Sequence, residues 1–303
     1  MRDYYNADLP PAVHHCLQEL AADPGNLLMV MSGNERTRVE SAFMGISRRL
    51  TQCMRSPMRM HPPMHPPRAH ASSARMDPCI VCGAGISGLS VAAEHGFHYK
   101  LGSFPGVRKV GRDTWQQLIE DFDLSWKETT MAIMAAYTKR TNGATVSDKG
   151  SGLVWRYDDV DPEFASMQVK ELHQHLQGVL ANAPVEVTIG KGYLEVRPHG
   201  INKGVMLDHM LDRLQCNSGG VDFVLCIGDD TSDEYMFSAL QERYGSTPQG
   251  HGPAVFTTVV GRKPSAAHYF LNDPDEVVEL CRVLLCTCLL VLLTCLPTYL
   301  HAC

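Results

Sequence analysis

Three carboxylates follow an apolar run near the middle of the second half of the chain. The run at 224–228 is followed by Asp229, Asp230 and Asp233. Ionised carboxylates at this spacing repel one another, so a divalent cation or a helix N-terminus must compensate for their charge. Mg²⁺ suits such a site because it accepts one or two carboxylates together with water and phosphate oxygens. The stretch predicts a strand that delivers acids to Mg²⁺, and a helix capped by Asp230 or Thr231 is the alternative.

Two further residues have the type and position to bind an anion. Ser32 and Gly33 follow the apolar run 27–31, and the carboxyl end of a parallel strand is where α/β proteins bind ligands. The next segment, 35–44, predicts a helix whose N-terminus would favour an anion. Lys203 opens another predicted helix, where its charge opposes the helix dipole unless an anion lies nearby. Ser32 and Lys203 are therefore candidates for binding phosphate, with a simple N-cap as the alternative role of Ser32.

The composition limits the class of protein and of ligand. The chain has 303 residues, of which 44% are hydrophobic and 20% charged, as in soluble globular proteins of one or two domains. A net charge of -6 argues against a general nucleic-acid binder, so a small polar metabolite is the expected ligand. The 11 cysteines, with no secretory signal at the start, indicate reduced thiols and a cytoplasmic location.

The hydrophobic pattern divides the chain into a core, an insert and a tail. Residues 1–104 and 198–285 alternate strand-like and helical runs, which predicts an α/β core in two parts. Residues 105–197 predict helices and antiparallel strands, and therefore an α+β cap domain. Residues 50–79 are rich in Pro, Met, His and Arg and predict a disordered insertion. The apolar tail 286–303 predicts a docked helix or an end not native to the fold, with a membrane anchor as the alternative.

Two motifs suggest other functions. Residues 83–88 match the G-x-G-x-x-G pattern, so a dinucleotide-binding oxidoreductase is an alternative. The sequence after Gly88, however, predicts a short strand and a turn, whereas a dinucleotide site needs a helix there. The pair Cys79 and Cys82 lies near several histidines, but one C-x-x-C without a second pair is a weak zinc signal.

Several motifs occur in the order found in trehalose-6-phosphate phosphatases. These are Ser32-Gly33, Ala93-Glu94-His95-Gly96, Leu194-Glu195-Val196-Arg197-Pro198, Asn202-Lys203-Gly204 and Gly228-Asp229-Asp230-Thr231-Ser232-Asp233-Glu234. The chain resembles that family, a branch of the haloacid dehalogenase-like phosphatases, over residues 10–48 and 88–285. It is also similar to the phosphatase-type domain attached to many eukaryotic trehalose-6-phosphate synthases.

The resemblance implies a Rossmann-like core, a mobile cap and Mg²⁺-dependent hydrolysis of trehalose 6-phosphate in trehalose biosynthesis. An aspartate attacks phosphorus, a second aspartate two positions later protonates the leaving sugar oxygen, and water hydrolyses the aspartyl-phosphate. By position, Ser32 would bind the phosphoryl group and Lys203 would neutralise its charge. Asp229 would ligate Mg²⁺, while Asp230 and Asp233 would support the metal or orient Lys203.

The resemblance also implies a sugar site and partners. Four cap residues stand where the family contacts the sugar, namely Lys149, Arg156, Glu195 and Arg197. Gly33, next to the phosphate-binding serine, joins them as a substrate-binding candidate. The implied partners are a small sugar phosphate and a trehalose-phosphate synthase domain or subunit.

The chain departs from the family at its start. The family begins with Asp-x-Asp-Gly-Thr, whereas this chain has Asp3 as a candidate nucleophile, Tyr5 in place of the general acid and Ala7 in place of the threonine. Loss of both acids lowers the rate of such a reaction by several powers of ten. The hypothesis is a truncated or degenerate phosphatase domain with little turnover. The alternative is a non-catalytic module that binds sugar phosphate and regulates a trehalose-phosphate synthase.

Overall fold

The computed structural model describes residues 11–23, 25–43, 86–102, 114–245, 252–284 and 291–293. The described helices are α1 Pro11–Ala22, α2 Arg36–Phe43, α3 Trp126–Arg140, α4 Pro162–Val179, α5 Lys203–Ser218, α6 Glu234–Tyr244 and α7 Pro274–Leu284. The described strands are β1 Leu28–Met31, β2 Ser90–Ala93, β3 His98–Lys100, β4 Gln116–Gln117, β5 Thr145–Asp148, β6 Leu153–Arg156, β7 Val185–Gly190, β8 Tyr193–Pro198, β9 Phe223–Gly228, β10 Ala254–Val260, β11 Tyr269–Leu271 and β12 Val291–Leu293.

The main sheet has eight strands in the order β11-β10-β9-β12-β1-β2-β3-β4. The strands from β11 to β2 are parallel, and β3 and β4 are antiparallel. Side chains of β1 alternate between two cores, with Leu28 and Val30 facing α1, α2 and α7, and Met29 and Met31 facing α5 and α6. A strand covered on both faces is apolar at every position, which explains the continuous apolar run. The predicted α/β core is confirmed.

The strand between β1 and β9 comes from the apolar tail. Leu293 of β12 pairs in parallel with Val30 of β1 and with Ile227 of β9. The prediction of a docked helix for the tail 286–303 is therefore wrong for residues 291–293, whereas the alternative of an end not native to the fold stays a prediction. A short apolar run does not distinguish a buried strand from a helix by its periodicity, which is why the sequence misled here.

The second sheet forms the predicted cap. Its order is β5-β6-β8-β7, all neighbours are antiparallel, and α3 and α4 pack on one face around Trp155, Leu172 and Leu194. Trp155 and both leucines are fully buried, and each such side chain stabilises the fold by about 1.5–3 kcal/mol. Residues 116–117, which the sequence prediction placed in the cap, pair instead with β3 of the main sheet.

Some sequence predictions lie outside the described residues, namely Asp3, the insertion 50–79 and the pair Cys79 and Cys82. Within 86–102 the chain passes from Gly88 into β2, a 3₁₀ turn and β3, and no α-helix follows the glycine as a dinucleotide site requires. In the part of the chain that the structure describes, no helix is both long enough and apolar enough to cross a membrane.

Candidate functional site

Asp233 organises the loop that follows β9. Its Oδ2 accepts hydrogen bonds from the backbone N–H groups of Asp229 and Asp230, each at 2.8 Å. Its Oδ1 accepts a hydrogen bond from Lys203 Nζ at 2.6 Å, and the side chains of this pair are only 0% and 3% exposed. Asp230 Oδ1 in turn accepts from the Thr231 N–H at 2.6 Å and caps the short turn Thr231–Asp233. Asp233 therefore orients Lys203, and Asp230 takes the capping role that was the alternative.

Asp229 is the acid of this loop whose environment suits a cation. Burial raises the pKa of Asp229 to about 6, and the negative charge of Asp233 adds to the rise. Lys203 and Lys263 act in the opposite direction, and Lys263 Nζ donates to the Asp229 backbone oxygen. A divalent cation would relieve the cost of ionising this carboxylate. The site thus fits Mg²⁺ held by Asp229, water and a phosphate oxygen.

The three acids do not converge as a ready-made metal cage. No group of three or more His, Cys, Asp or Glu able to hold a metal occurs in the described ranges. Both oxygens of Asp233 accept hydrogen bonds within the protein, and Asp230 Oδ1 accepts one from the Thr231 N–H. Of the predicted metal-binding set of Asp229, Asp230 and Asp233, Asp229 is therefore the first candidate for a direct ligand, and Asp230 has one oxygen left for such a role. A site with one carboxylate is compatible with Mg²⁺, which keeps several waters.

Ser32 lies at the same edge of the sheet as Asp229. Val30, Leu293 and Ile227 stand side by side in β1, β12 and β9, so Ser32 and Asp229 each follow their paired residue by two positions. Ser32 is buried, and its Oγ accepts a hydrogen bond from the Asn34 N–H at 3.0 Å. This bond closes a local turn before α2, which begins only at Arg36, so Ser32 is not the N-cap that was the alternative. The bond leaves the hydroxyl hydrogen to donate to an anion.

Three of the four predicted sugar-binding residues of the cap, Arg156, Glu195 and Arg197, share the polar face of the cap sheet with Tyr193. Arg156 lies opposite Tyr193 in the β6–β8 pair, and Tyr193, Glu195 and Arg197 alternate along β8, so all four point to one side. The other face carries the apolar core of the cap. Burial raises the pKa of Tyr193, and the charges of Glu195 and Asp230 add to this rise. The polar face of the cap is thus close to the acidic loop of the core.

Lys149 and Glu195 connect this polar face to the loop that contains Ser32. Lys149 Nζ donates to the Gly33 carbonyl at 2.8 Å and to Glu195 Oε1 at 2.7 Å. His95 Nε2 lies 3.6 Å from Glu195 Oε2. Burial alone would raise the pKa of Glu195, but its contact with His95 and the charge of Lys149 outweigh burial and hold that pKa well below its usual range.

Arg156 and Arg197 are not part of that cluster. Arg197 Nε donates to Glu186 Oε1 at 2.6 Å, and Arg156 lies 3.9 Å from Asp158. Both arginines therefore lie on the predicted face but pair with acids of the cap.

Sequence reasoning assigned no role to some residues at this junction. Glu94 Oε2 accepts hydrogen bonds from the Ser151 hydroxyl and from its N–H, the latter at 2.8 Å, which adds a second contact between core and cap. Glu94 and His95 belong to the motif Ala93-Glu94-His95-Gly96. The signal that could have identified them as site residues is their position between the end of a buried strand and a glycine. Lys263 lies three positions after the end of β10 and also had no role in the sequence prediction. Asp229 and Lys263 line a cavity of about 370 Å³ with the start of α7.

Comparison with known proteins places this geometry in a family. The trehalose-phosphatase family model matches residues 79–275. The chain is 42% identical over 192 residues to alpha,alpha-trehalose-phosphate synthase [UDP-forming] 6 of Arabidopsis thaliana, covering 63% of this chain and 21% of that protein. It is 34% identical over 198 residues to the trehalose-phosphatase of Schizosaccharomyces pombe, covering 64% of this chain and 23% of that protein. The chain thus spans about a fifth of the length of these curated relatives.

A solved structure agrees with the sequence relatives. The C-terminal domain of the Candida albicans trehalose-6-phosphate phosphatase matches 94% of this chain and 87% of its own, with a TM-score of 0.67 and 26% identity. The family match covers Lys203, Asp229 and the cap residues, whereas Ser32 and Asp3 precede it. From the family model, the relatives and the fold together, the chain belongs to the trehalose-phosphatase family.

Proposed function

We propose that this chain is a trehalose-6-phosphate phosphatase domain that hydrolyses trehalose 6-phosphate to trehalose and phosphate with Mg²⁺, at a low rate because Tyr5 stands where the family has its general acid. The observation that carries the proposal is the meeting of three groups at one edge of the sheet. Ser32 follows β1, Asp229 follows β9 in the same register, and the loop of Asp229 is bound to Lys203 through Asp233. A hydroxyl donor, a buried cation and a half-buried acid are the groups that a phosphoryl transfer site needs.

Each of these residues has a defined part in binding the phosphoryl group. The Ser32 hydroxyl donates a hydrogen bond to a phosphoryl oxygen, and the Lys203 ammonium, fixed by Asp233, offsets negative charge as it develops. Asp229 holds Mg²⁺, which, when bound, polarises the phosphoryl group. Lys149 and Glu195 offer a donor and an acceptor to the hydroxyls of the sugar. Asp3 remains the candidate nucleophile.

Phosphate release measured with and without Mg²⁺ tests the proposal. We expect slow Mg²⁺-dependent release of phosphate from trehalose 6-phosphate in the full chain and its loss in the variant Asp229→Asn. The matched control is Asp159→Asn, which removes an exposed charge from a turn of the cap. Equal release by Asp229→Asn and the unchanged chain would contradict the assignment of Asp229.

A second candidate function is binding of trehalose 6-phosphate without hydrolysis. It is supported by β12, because the strand between those of Ser32 and Asp229 is Val291–Leu293. The sequence from 280 to 303 contains no Asp or Glu, so this segment supplies no carboxylate to attack phosphorus. Tight binding of trehalose 6-phosphate with no phosphate release at stoichiometric enzyme would favour this second function.

The setting of the domain also belongs to the proposal. Several relatives are named as trehalose-phosphate synthases, and this chain matches only about a fifth of their length. We infer that a synthase domain or subunit is its partner and that it acts in trehalose biosynthesis in the cytoplasm. Co-purification of the tagged chain with synthase activity from a cytosolic extract is the expected result, and recovery in the membrane fraction would contradict the location.

A further inference from the structure

The turn that follows β2 holds two polar residues in an unfavourable backbone conformation. Glu94 and His95 have φ values of 53° and 59°, in the left-handed region that non-glycine residues avoid at a cost of about 1–2 kcal/mol each. Two backbone hydrogen bonds tie the turn to the phosphate loop, from the Glu94 N–H to the Asn34 oxygen at 2.9 Å and from the His95 N–H to the Ser32 oxygen at 3.0 Å. Such strain persists where the surroundings impose it, and it is concentrated at functional sites.

The His95 ring is placed between the phosphate loop and the cap. A Cβ added to Gly33 would lie 2.7 Å from His95 Cε1, so the ring lies directly against this glycine. On the cap side, His95 Nε2 is 3.6 Å from Glu195 Oε2. The Glu195 carboxylate uses its other oxygen to accept from Lys149, and Lys149 also donates to the Gly33 carbonyl. His95, Glu195, Lys149 and Gly33 thus form a closed ring of contacts across the junction of core and cap.

Fold stability alone does not account for this histidine. His95 is only 8% exposed, and its Nδ1 has no hydrogen-bond partner among the described residues. An unsatisfied buried polar atom costs about 1–3 kcal/mol. Burial lowers the pKa of His95, which favours the neutral imidazole with its single N–H donor. The unpaired nitrogen is a cost that an apolar residue at this position would avoid.

We propose that His95 is a positioning residue for the sugar end of the substrate. It orients the Glu195 carboxylate and, through Glu195, fixes the Lys149 ammonium above the loop of Ser32 and Gly33. The distance between the sugar-binding pair and the phosphate-binding loop is thereby set before substrate arrives, which reduces the ordering cost of binding. The inference rests on the proposed function, because it assumes that the site holds a sugar phosphate.

The test separates the sugar end of the ligand from its phosphate end. The variant His95→Asn removes the imidazole, and asparagine tolerates the left-handed conformation better than most residues. Calorimetry on the full chain would measure binding of trehalose 6-phosphate and of inorganic phosphate. We expect affinity for trehalose 6-phosphate to fall about tenfold, because the Glu195 carboxylate loses its close contact with the imidazole, and affinity for inorganic phosphate to stay within about twofold.

A matched control and a double variant make the outcome specific. His209→Asn removes a half-buried histidine of α5 that contacts Tyr99 at 3.3 Å, and we expect both affinities to stay unchanged. Because His95 acts through Glu195, adding His95→Asn to Glu195→Gln should weaken binding little beyond Glu195→Gln alone. Equal weakening of both ligands by His95→Asn, additive effects in the double variant, or no weakening at all would overturn the inference. An unchanged chain that binds trehalose 6-phosphate no better than inorganic phosphate would instead refute the proposed function and the inference with it.

Discussion

The buried pair of Lys203 and Asp233 allows a quantitative prediction. The variant Lys203→Met keeps most of the volume of the side chain but leaves the Asp233 carboxylate, which is fully buried, without its counter-charge. Loss of one partner of a buried ion pair typically costs about 3–5 kcal/mol. The two N–H donors that remain on Asp233 Oδ2 offset part of this cost, so we expect the lower half of that range. At about 2–4 °C per kcal/mol, the melting temperature should fall by about 6–16 °C.

Thermal unfolding followed by calorimetry at pH 7 measures this change. The matched control is Arg282→Met in the exposed pair Arg282–Glu279, whose side chains are 55% and 68% exposed. Exposed pairs contribute about 0–1 kcal/mol, so this control should lower the melting temperature by no more than about 4 °C. The double variant Lys203→Met, Asp233→Asn should be more stable than Lys203→Met alone, because no unpaired charge remains. If Lys203→Met unfolds at the same temperature as the control, the argument from a buried unpaired charge is refuted.

Three further changes test the backbone of the site and its acid. Gly96→Ala should lower the free energy of unfolding, measured in urea, by more than about 2 kcal/mol, because the φ of Gly96 is 104° and a Cβ would lie 2.5 Å from Met206 Cβ. The control Gly178→Ala changes a helical glycine with open space around it and should be neutral or stabilising. Since the pKa of Asp229 is raised to about 6, protons compete with Mg²⁺ for this carboxylate as the pH falls. The affinity for Mg²⁺, measured by calorimetry, should therefore drop about tenfold per pH unit below pH 6. A constant affinity for Mg²⁺ from pH 7 to 5 would argue against Asp229 as the ligand. Leu292→Pro removes an N–H from a strand that has neighbours on both sides and should lower the melting temperature followed by circular dichroism, because the core sheet is disrupted. The control Leu292→Ile should leave the melting temperature nearly unchanged. Equal melting temperatures for both variants would exclude a central position of β12.

The elements that sequence alone predicted are those fixed by local signals. The continuous apolar run of β1 predicted one buried strand, and the apolar run before the acids that follow β9 predicted another. The polar residues after each run predicted that ligands bind at the carboxyl ends of these strands. The helix α4 begins where Asp161 caps it and Pro162 occupies its first turn, both of which are signals in the sequence. Lys203 was identified because a lysine at a helix start is unfavourable without a compensating charge, and the structure provides Asp233.

The contacts that sequence alone did not predict join distant parts of the chain. Lys149 donates to the Gly33 carbonyl across 116 positions and to Glu195 across 46. No local pattern encodes such pairs, so the role of His95 at the junction was also missed. The position of β12 was missed for the same reason. Residues 291–293 pair with β1 and β9, which lie far away in the sequence, and no pattern within 291–293 indicates these partners.

A crystal structure of the full chain with trehalose 6-phosphate and Mg²⁺ tests the central claim most directly. We predict that the phosphoryl group lies between Ser32 Oγ and Lys203 Nζ, with the metal ion on Asp229 and the sugar against Lys149 and Glu195. Density for the ligand elsewhere, for example only in the cavity beside Lys263 and α7, would contradict the site assembled at the ends of β1 and β9.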